Sequence, residues 1–449
     1  MPVLNVLCRN VPTPRPMREE ALKNPGETTN PTANQERITY GETLPNGTIL
    51  DLVDAGDRDG LSLLFWDGEK VLIRPVMDCG GIVYRPPNLH RSIREAMRFP
   101  RGASEYGTTP QLFTRVASAC GEHLGLPEDL AAFATSWILS SWVPELILIP
   151  YTLCVRGAFM EACNGLRMFG ALCRRPLLVA ELSRRLPFDL DPTVMVNGPP
   201  RFEKQCTFWR AASCRGLFVA GAGSTVCSLR CTKAVVLQGD ENPRLWGPEA
   251  MFLVLPHVEF PSLSDQLLAD IAAEFQPQLE MFRLRLLRGA DPFVSKSHPL
   301  AKFELARNLG ACIPEDAEIV RVLTSLLESH QEDLLTRRFC DPWVAILQAV
   351  WAPSHQQQEM SVGEITTRVN AILLSFGDMY DYTPREIGWK LRNLQLSTRS
   401  NGKRKVLRFS GENRSRIHRC IREFGLQLPF FDDCPDCKWL QSTEVKPVE

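Results

Sequence analysis

The sequence predicts an α/β protein with a parallel-sheet core, a small N-terminal β domain and a C-terminal winged helix-turn-helix. Between residues 144 and 260, short apolar runs alternate with amphipathic helical patterns, which is typical of a parallel sheet covered by helices on both faces. Residues 37–90 contain β-type runs broken by turn residues. Residues 336–425 contain helical patterns followed by an Asn-Gly turn between two strand-like runs, the order of a winged helix.

Composition is that of an ordinary globular protein of several domains. The chain has 449 residues, of which 44% are hydrophobic and 23% charged. Its fifteen cysteines follow no repeating spacing, which indicates reduced thiols and a cytoplasmic location. The apolar stretch 131–155 is long enough to span a bilayer. Because Pro144 interrupts it, a buried helix followed by a buried strand explains it better, and we expect no membrane span.

Composition and periodicity divide the chain into seven segments. Residues 1–36 are rich in Pro, Asn, Thr and charge and are predicted to form a flexible arm. The small β domain of residues 37–90 is expected to dock on the core or to bind a partner. The other segments are, in order, a helical segment (91–143), the core (144–260), a helical linker or lid (261–335), the winged helix (336–425) and a tail (426–449).

Apolar runs and helical periodicity predict six strands in the core. The strand candidates are Leu146–Val155, Leu177–Leu182, Thr193–Asn197, Gly216–Ala220, Lys233–Gln238 and Met251–Leu255. Helical patterns lie between several of them, notably at Leu166–Leu172 and Arg201–Ser213. A long amphipathic helix follows from about Ser264 to Arg288 and is expected to bend at Pro277.

The first core strand leads into a stretch that has the outline of a phosphate-binding loop. Such a loop is written G-x-x-x-x-G-K-[ST], and its lysine and hydroxyl bind phosphate and magnesium. Aligned from Gly157, the second glycine falls on Ala162, the lysine on Cys163 and the hydroxyl residue on Asn164. Three of the four defining residues are therefore missing, and we expect a vestigial nucleotide site.

The acidic strand that such a site also needs is degenerate too. In the stretch 192–199, Asn197 and Gly198 occupy the two positions where Asp and Glu would hold the metal and the attacking water. Losing the lysine, the hydroxyl and both acids together argues against hydrolysis.

The arrangement resembles helicase-like ATPases of the AAA+ and RecA-like P-loop class. Within that class, the chain is similar to replication and mobile-element ATPases of bacteria and phages that carry a C-terminal winged helix. The stretches that carry the resemblance are Leu172–Leu178, Pro192–Asn197 and Lys233–Leu237. The resemblance implies a P-loop NTPase-like core, while the missing motifs imply a pseudo-ATPase. Relatives place an arginine before the last core strand, where this chain has Pro248-Glu-Ala.

Two alternatives to a degenerate nucleotide site remain open at this point. The stretch 157–164 is also compatible with an ordinary strand-helix turn in an unrelated α/β domain. An active ATPase is the other alternative, and it requires Arg156 or Arg167 to point into the loop in place of the lysine. Only this second alternative implies ATP and magnesium as cofactors; otherwise we expect none.

The winged-helix segment is strongly basic. Between Thr383 and Gly425 there are twelve Lys or Arg and three acids, whereas the whole chain has a net charge of −1. Such a patch indicates a polyanionic partner. Helical periodicity places Arg385, Trp389 and Arg392 on one face, as on a helix that enters a DNA major groove. The predicted DNA-binding residues are Arg385, Trp389, Lys390, Arg392, Arg399, Lys403, Arg404, Lys405 and Arg408.

The sequence gives no convincing metal motif. Cys434 and Cys437 form a lone CxxC, and a structural zinc site needs four ligands. His418 and Cys420 are two residues apart on a predicted helix and face different sides. We therefore expect no metal site and a solvent-exposed tail.

These observations predict a non-catalytic DNA-binding protein whose core also offers surfaces for protein partners or an oligomer. The alternatives are an active ATPase or helicase subunit with an unconventional phosphate loop, and a protein-interaction adaptor whose winged helix does not touch DNA.

Overall fold

The computed structural model describes most of the chain from residue 35 to residue 442. The described ranges are 35–56, 60–147, 149–181, 186–198, 219–220, 226–227, 230–237, 250–257, 263–289, 298–339, 341–376, 381–402, 404–426 and 428–442. The predicted flexible arm, the predicted helix Arg201–Ser213 and the Pro248-Glu pair lie outside these ranges. Within them, no helix combines the length and apolar character that crossing a bilayer requires.

The N-terminal β unit consists of two small sheets. An antiparallel meander joins β2 (Glu42–Thr43), β3 (Ile49–Val53), β4 (Ser62–Trp66) and β5 (Val71–Arg74). The second sheet has the order β1-β7-β6, formed by β1 (Gln35–Ile38), β6 (Met77–Cys79) and β7 (Ile82–Arg85). The predicted strand runs are therefore present.

Helices α1 (Arg91–Ala96), α2 (Thr109–Leu124) and α3 (Glu128–Trp142) lead from the β unit into the core. Helix α3 is buried along most of its length, with Trp137 and Trp142 fully enclosed. This burial explains the apolar stretch that sequence alone could have assigned to a membrane.

The core is a five-stranded parallel sheet. Its strands are β8 (Thr152–Arg156), β9 (Pro176–Val179), β10 (Thr193–Val196), β13 (Thr232–Leu237) and β14 (Ala250–Val254), in the order β14-β8-β13-β10-β9. Helices α4 (Phe159–Leu172) and α5 (Asp265–Gly289) pack against each other beside it, and Pro277 lies inside α5. Helices α6 (Glu304–Leu309) and α7 (Ala317–Phe339) follow.

Two strand predictions in the core need correction. The first strand begins at Thr152 rather than Leu146, because Pro150 restricts the preceding residue and lacks an N–H for the ladder. The predicted strand Gly216–Ala220 is not a core strand where it is described. Its last two residues form β11 (Val219–Ala220), which pairs antiparallel with β12 (Val226–Cys227) in a separate sheet.

A buried ionic cluster fastens the β unit to the core. The carboxylate of Asp51, on β3, accepts hydrogen bonds from Arg174 at 3.1 Å, Arg175 at 2.5 Å and Arg283 at 2.6 Å. Arg283, on α5, also forms a bidentate pair with Glu145. Burial alone would raise the pKa of the Asp51 carboxyl, but the three guanidinium groups hold this pKa far below its ordinary value. The predicted docking of the β unit on the core is thus present, through charges as well as apolar packing.

The C-terminal unit, residues 341–442, has its own hydrophobic core. Its elements are α8 (Pro342–Gln356), β15 (Glu359–Ser361), α9 (Val362–Ser375), α10 (Pro384–Asn393), β16 (Thr398–Asn401), β17 (Arg404–Arg408), α11 (Gly411–Glu423) and α12 (Pro435–Ser442). The three strands form an antiparallel sheet in the order β15-β17-β16. Two helices of this unit begin at capping boxes, formed by Ser361 with Glu364 and by Thr383 with Glu386.

The described residues 428–442 of the tail include buried positions, whereas the sequence predicts a solvent-exposed segment. Helix α12 packs on α11, and the side chains of Cys434 and Cys437 are buried. The indole of Trp351, on α8, donates a hydrogen bond to the carbonyl of Pro429. The surfaces that the tail contacts belong to α11, which precedes it directly, and to α8, which lies far upstream, and local composition does not reveal them.

Candidate functional site

The junction between β8 and α4 carries the predicted vestigial nucleotide site. Only Gly157 and Ala158 separate the strand from the helix, which begins at Phe159. Ala162, Cys163 and Asn164 therefore lie in the first turns of α4 rather than in a loop. A phosphate loop wraps its ligand with several successive backbone N–H groups, and a two-residue connection is too short for that.

Side chains of the protein itself fill the space at this helix end. A Cβ added at Gly157 would lie 3.2 Å from Leu255 Cβ, and one at Gly165 only 2.8 Å from Leu255 Cδ1. Glu161, in the first turn, pairs with His257 at 2.8 Å. Hydrogen bonds from its own backbone N–H and from His257 lower the pKa of the Glu161 carboxyl. The anion-favouring helix end thus already faces a carboxylate.

The free space beside Glu161 and Leu255 is about 60 Å³. Ligand pockets typically enclose about 300–1,000 Å³, so this space is far too small for a nucleotide. Asn164 lines it, together with Leu124 of α2.

The structure brings Cys163 and Asn197 together. The Asn197 amide donates to Cys163 Sγ at 3.2 Å, across the carboxyl edge of the parallel sheet. This is where a P-loop helix and an acidic strand would share a metal ion. Neither a thiol nor an amide supplies the charge that phosphate and magnesium need, and the two groups bond to each other instead.

The two arginines of the active-ATPase alternative are directed elsewhere. Arg167 donates to the carbonyl of Leu263 and pairs with Asp265, both at 2.6 Å. The guanidinium of Arg156 lies over the ring of Phe252, 5.6 Å from its centroid. Neither arginine is placed to substitute for the missing lysine.

A pair of glycine substitutions tests the close packing of Leu255. Gly165→Ala is expected to destabilise the protein by about 1–3 kcal/mol, because the added methyl overpacks against Leu255. Gly388→Ala, in α10, is the matched control, since the nearest atom to its new methyl is Val362 Cγ1 at 3.8 Å. At position 388, the higher helix propensity of alanine should raise the free energy of unfolding by as much as about 1 kcal/mol. Denaturant unfolding measures the free energy of unfolding of both variants. Equal changes in the two variants would contradict the close packing of Leu255 against Gly165.

In the C-terminal unit, α10 exposes the basic face predicted from its periodicity. Ile387 and Leu391 are fully buried and Leu394 nearly so, while Arg385 and Arg392 are exposed. The Trp389 side chain is 56% exposed. The capping box of Thr383 and the proline at the first helical position fix where this helix begins.

An open groove of about 610 Å³ runs between α10, the start of α9 and the β16–β17 hairpin. Gly363 and Gly388 line it, and they leave its wall free of side chains there. Among the described residues that line the groove, none is an acid and four are cations. These cations, hereafter the groove cations, are Arg385, Arg392, Arg404 and Lys405.

The other predicted DNA-binding residues are placed differently. The ammonium of Lys390 lies over the rings of Trp343 and Tyr382, 5.0 and 5.2 Å from their centroids. Arg408 pairs with Glu359 at 3.2 Å. Arg399 is exposed on β16, and Lys403 lies outside the described residues.

A cluster of potential metal ligands in the C-terminal unit contradicts the sequence-based expectation that no such group exists. His355, His418, Cys434 and Cys437 place one ligand atom each within 4.8 Å of the others. The CxxC and His418 are visible in the sequence, but His355 is 63 residues upstream of His418. The sequence spacing therefore does not reveal the fourth ligand.

Comparisons with known proteins do not identify a family for this chain. No protein-family model and no curated protein matches the chain. Among solved structures, the chain is similar to the apo structure of the NrS-1 C terminal region (305-718), with a TM-score of 0.33, 9% sequence identity, and coverage of 81% of this chain and 96% of that one. An A form apo structure of the same region gives a TM-score of 0.33, 8% identity, and coverage of 80% and 96%. A likeness at this TM-score carries no argument about this chain.

Proposed function

We propose that this chain is a DNA-binding protein with a winged helix at its C-terminus and an ATPase-like core that does not hydrolyse ATP. The observation that carries the proposal is the groove between α10 and the β16–β17 hairpin, with its four cations.

The order of elements supports a winged helix in the C-terminal unit. Three helices, α8, α9 and α10, are followed by a hairpin whose strand β17 also pairs with β15. In such a module α10 is the recognition helix, and the major groove of B-DNA is wide enough to admit it. The exposed face of α10 carries Arg385, Trp389 and Arg392, opposite its buried Ile387 and Leu391.

The charges around the groove favour a polyanion over a protein partner. The groove cations come from both α10 and the hairpin, so they can contact phosphates on two sides of an inserted helix. Two acids next to groove-lining residues, Glu364 and Glu386, have a local role as caps of α9 and α10. The pKa of Glu364 is lowered mainly by its hydrogen bonds to Ser361 and to a smaller extent by Arg404.

The absence of hydrolysis is supported by the β8–α4 junction. Numbered along the chain, the core strands have the order 5-1-4-3-2, which agrees with the AAA+ resemblance. Yet the phosphate-binding positions are helical, Glu161 and Leu255 fill the space, and Arg167 is bound to Asp265. These contacts support a core that does not hydrolyse ATP.

Nucleotide binding and turnover by the purified full chain test this half of the proposal. We expect no ATP binding and no hydrolysis above that of buffer, with or without duplex DNA. An Arg156→Ala, Arg167→Ala double variant should behave identically. DNA-stimulated turnover that the double variant abolishes would show that the active-ATPase alternative is correct.

A further inference from the structure

Four side chains from three separate parts of the C-terminal unit converge at one place. His355 ends α8, His418 lies in the middle of α11, and Cys434 and Cys437 flank the start of α12. All four are buried or half-buried. They are the only such group of His, Cys, Asp and Glu within the described part of the chain.

The spacings within the cluster are those of a tetrahedral metal site. The two Nε2 atoms are 3.2 Å apart, and Cys437 Sγ lies 3.3 Å from each of them. Cys434 Sγ lies 3.5 Å from Nε2 of His418. Zinc bonds of about 2.0–2.1 Å to nitrogen and about 2.3 Å to sulfur give tetrahedron edges of roughly 3.3–3.8 Å. These four distances lie within about 0.3 Å of the expected edges, and all ligand atoms lie within 4.8 Å of one another.

Hydrogen bonds at the far side of each imidazole orient its free nitrogen toward the cluster. His355 Nδ1 lies 2.9 Å from the carbonyl of Trp351, and His418 Nδ1 lies 2.8 Å from the carbonyl of Arg414. A carbonyl only accepts, so each Nδ1 carries the proton and each Nε2 of a neutral ring presents a lone pair. This backbone anchoring is characteristic of metal-ligating histidines. Two lone pairs that face each other at 3.2 Å repel unless a cation or a thiol proton lies between them.

Packing around the cluster holds the rings in this orientation. The His355 ring stacks on Phe431 with centroids 4.1 Å apart, and Trp351 contacts both imidazoles. The site is thus enclosed by apolar groups and closed by four protein ligands, as structural zinc sites are.

We propose that His355, His418, Cys434 and Cys437 bind one structural Zn²⁺ ion that fastens the tail to α8 and α11. Two thiolates and two imidazoles are a ligand set that zinc accepts and that hard, oxygen-preferring cations such as Mg²⁺ do not. The ion joins segments that are up to 82 residues apart. The proposal rests on this geometry and not on DNA binding, so either can fail without the other.

Metal analysis of the full chain, purified with a phosphine reductant and without chelators, tests the site. We expect about one zinc per chain by mass spectrometry. X-ray absorption should show two sulfur ligands near about 2.3 Å and two nitrogen ligands near about 2.0–2.1 Å. Replacement by Co²⁺ should give the visible bands of a tetrahedral thiolate site. These measurements need no variant, so they hold even if ligand variants fold poorly.

Variants then assign the ligands. His355→Ala and Cys437→Ser should each lower the zinc content severalfold. Cys420→Ser is the matched control, because Cys420 is fully buried in the same unit but lies outside the cluster, and it should keep the ion. A wild-type chain that neither contains nor takes up Zn²⁺ or Co²⁺ would overturn the proposal and leave thiol-imidazole hydrogen bonds in its place. Zinc retained in both ligand variants would also overturn it.

Discussion

Replacing Asp51 by alanine is expected to destabilise the protein by about 3–5 kcal/mol, the cost of breaking a buried ion pair on one side. The Asp51 side chain is 1% exposed and accepts from Arg174, Arg175 and Arg283, which are themselves almost completely buried. Without it, the ion pair of Arg283 with Glu145 remains, and the buried Glu280 still interacts electrostatically with the same guanidinium groups. Buried charges that lose their partner retain the full cost of dehydration, which explains the size of the effect.

Chemical denaturation of the full chain measures this effect, and an exposed ion pair provides the control. Glu95→Ala removes the carboxylate that pairs with Arg91 at 2.7 Å on the surface of α1. Such exposed pairs contribute less than about 1 kcal/mol. If Asp51→Ala cost no more than Glu95→Ala, the ionic cluster would not be what fastens the β unit to the core.

The lowered pKa of Asp51 also makes the contribution of this residue to stability depend on pH. Because that pKa is lower in the folded protein than in the unfolded chain, the contribution of Asp51 to stability is complete above its ordinary value of 3.8. It is lost progressively as the pH falls below that value. The Asp51 contribution to the stability difference between wild type and Asp51→Ala should therefore shrink in strongly acidic solution. Near neutral pH the difference also depends on Glu280, whose pKa is raised to about 8 by burial and by the nearby Asp51 carboxylate, because the variant lacks that carboxylate.

Removing all four groove cations is expected to weaken DNA binding roughly 10³-fold, at about 1 kcal/mol for each lost contact. The variant is Arg385→Ala, Arg392→Ala, Arg404→Ala and Lys405→Ala. Each phosphate contact also contributes about 0.9 to the slope of log affinity against log salt. The slope should therefore become shallower by up to about 3.6. Fluorescence anisotropy with a labelled duplex measures both quantities.

The matched control removes four exposed arginines outside the groove. These are Arg74, Arg91, Arg101 and Arg419. The control variant has the same net charge as the groove variant, so overall charge should affect DNA binding equally in the two variants. We expect its affinity to stay within a few-fold of wild type. Equal losses in both variants would mean that DNA binding, if present, uses no defined surface.

The features predicted correctly from sequence are those that neighbouring residues determine. The face of α10 follows from the helical spacing of Ile387 and Leu391, and its start follows from Thr383 and Glu386 three residues apart. The hairpin turn follows from Asn401 and Gly402, where the glycine adopts a φ of 63°. Each of these patterns involves residues that are close together in the sequence, so each can be recognised without knowing the tertiary structure.

The features that were missed depend on contacts between distant residues. His355 contacts Cys437 across 82 residues, and Asp51 meets Arg283 across 232. Nothing near Asp51 in the sequence distinguishes it from an exposed strand residue. The early start of α4 was missed for another reason. Alignment with a phosphate-loop pattern presumes a loop of fixed length, whereas Phe159 onward is helical.

The salt dependence of duplex DNA binding by the wild-type full chain is the most direct test of the proposed DNA-binding function. We expect measurable affinity that falls steeply and log-linearly with salt, with a slope of magnitude about 3.6 if each groove cation contacts a phosphate. An adaptor whose C-terminal unit binds only protein would show no DNA binding at low salt. A weak affinity that does not change with salt would equally contradict a phosphate-contacting groove and remove the basis for assigning DNA as the partner.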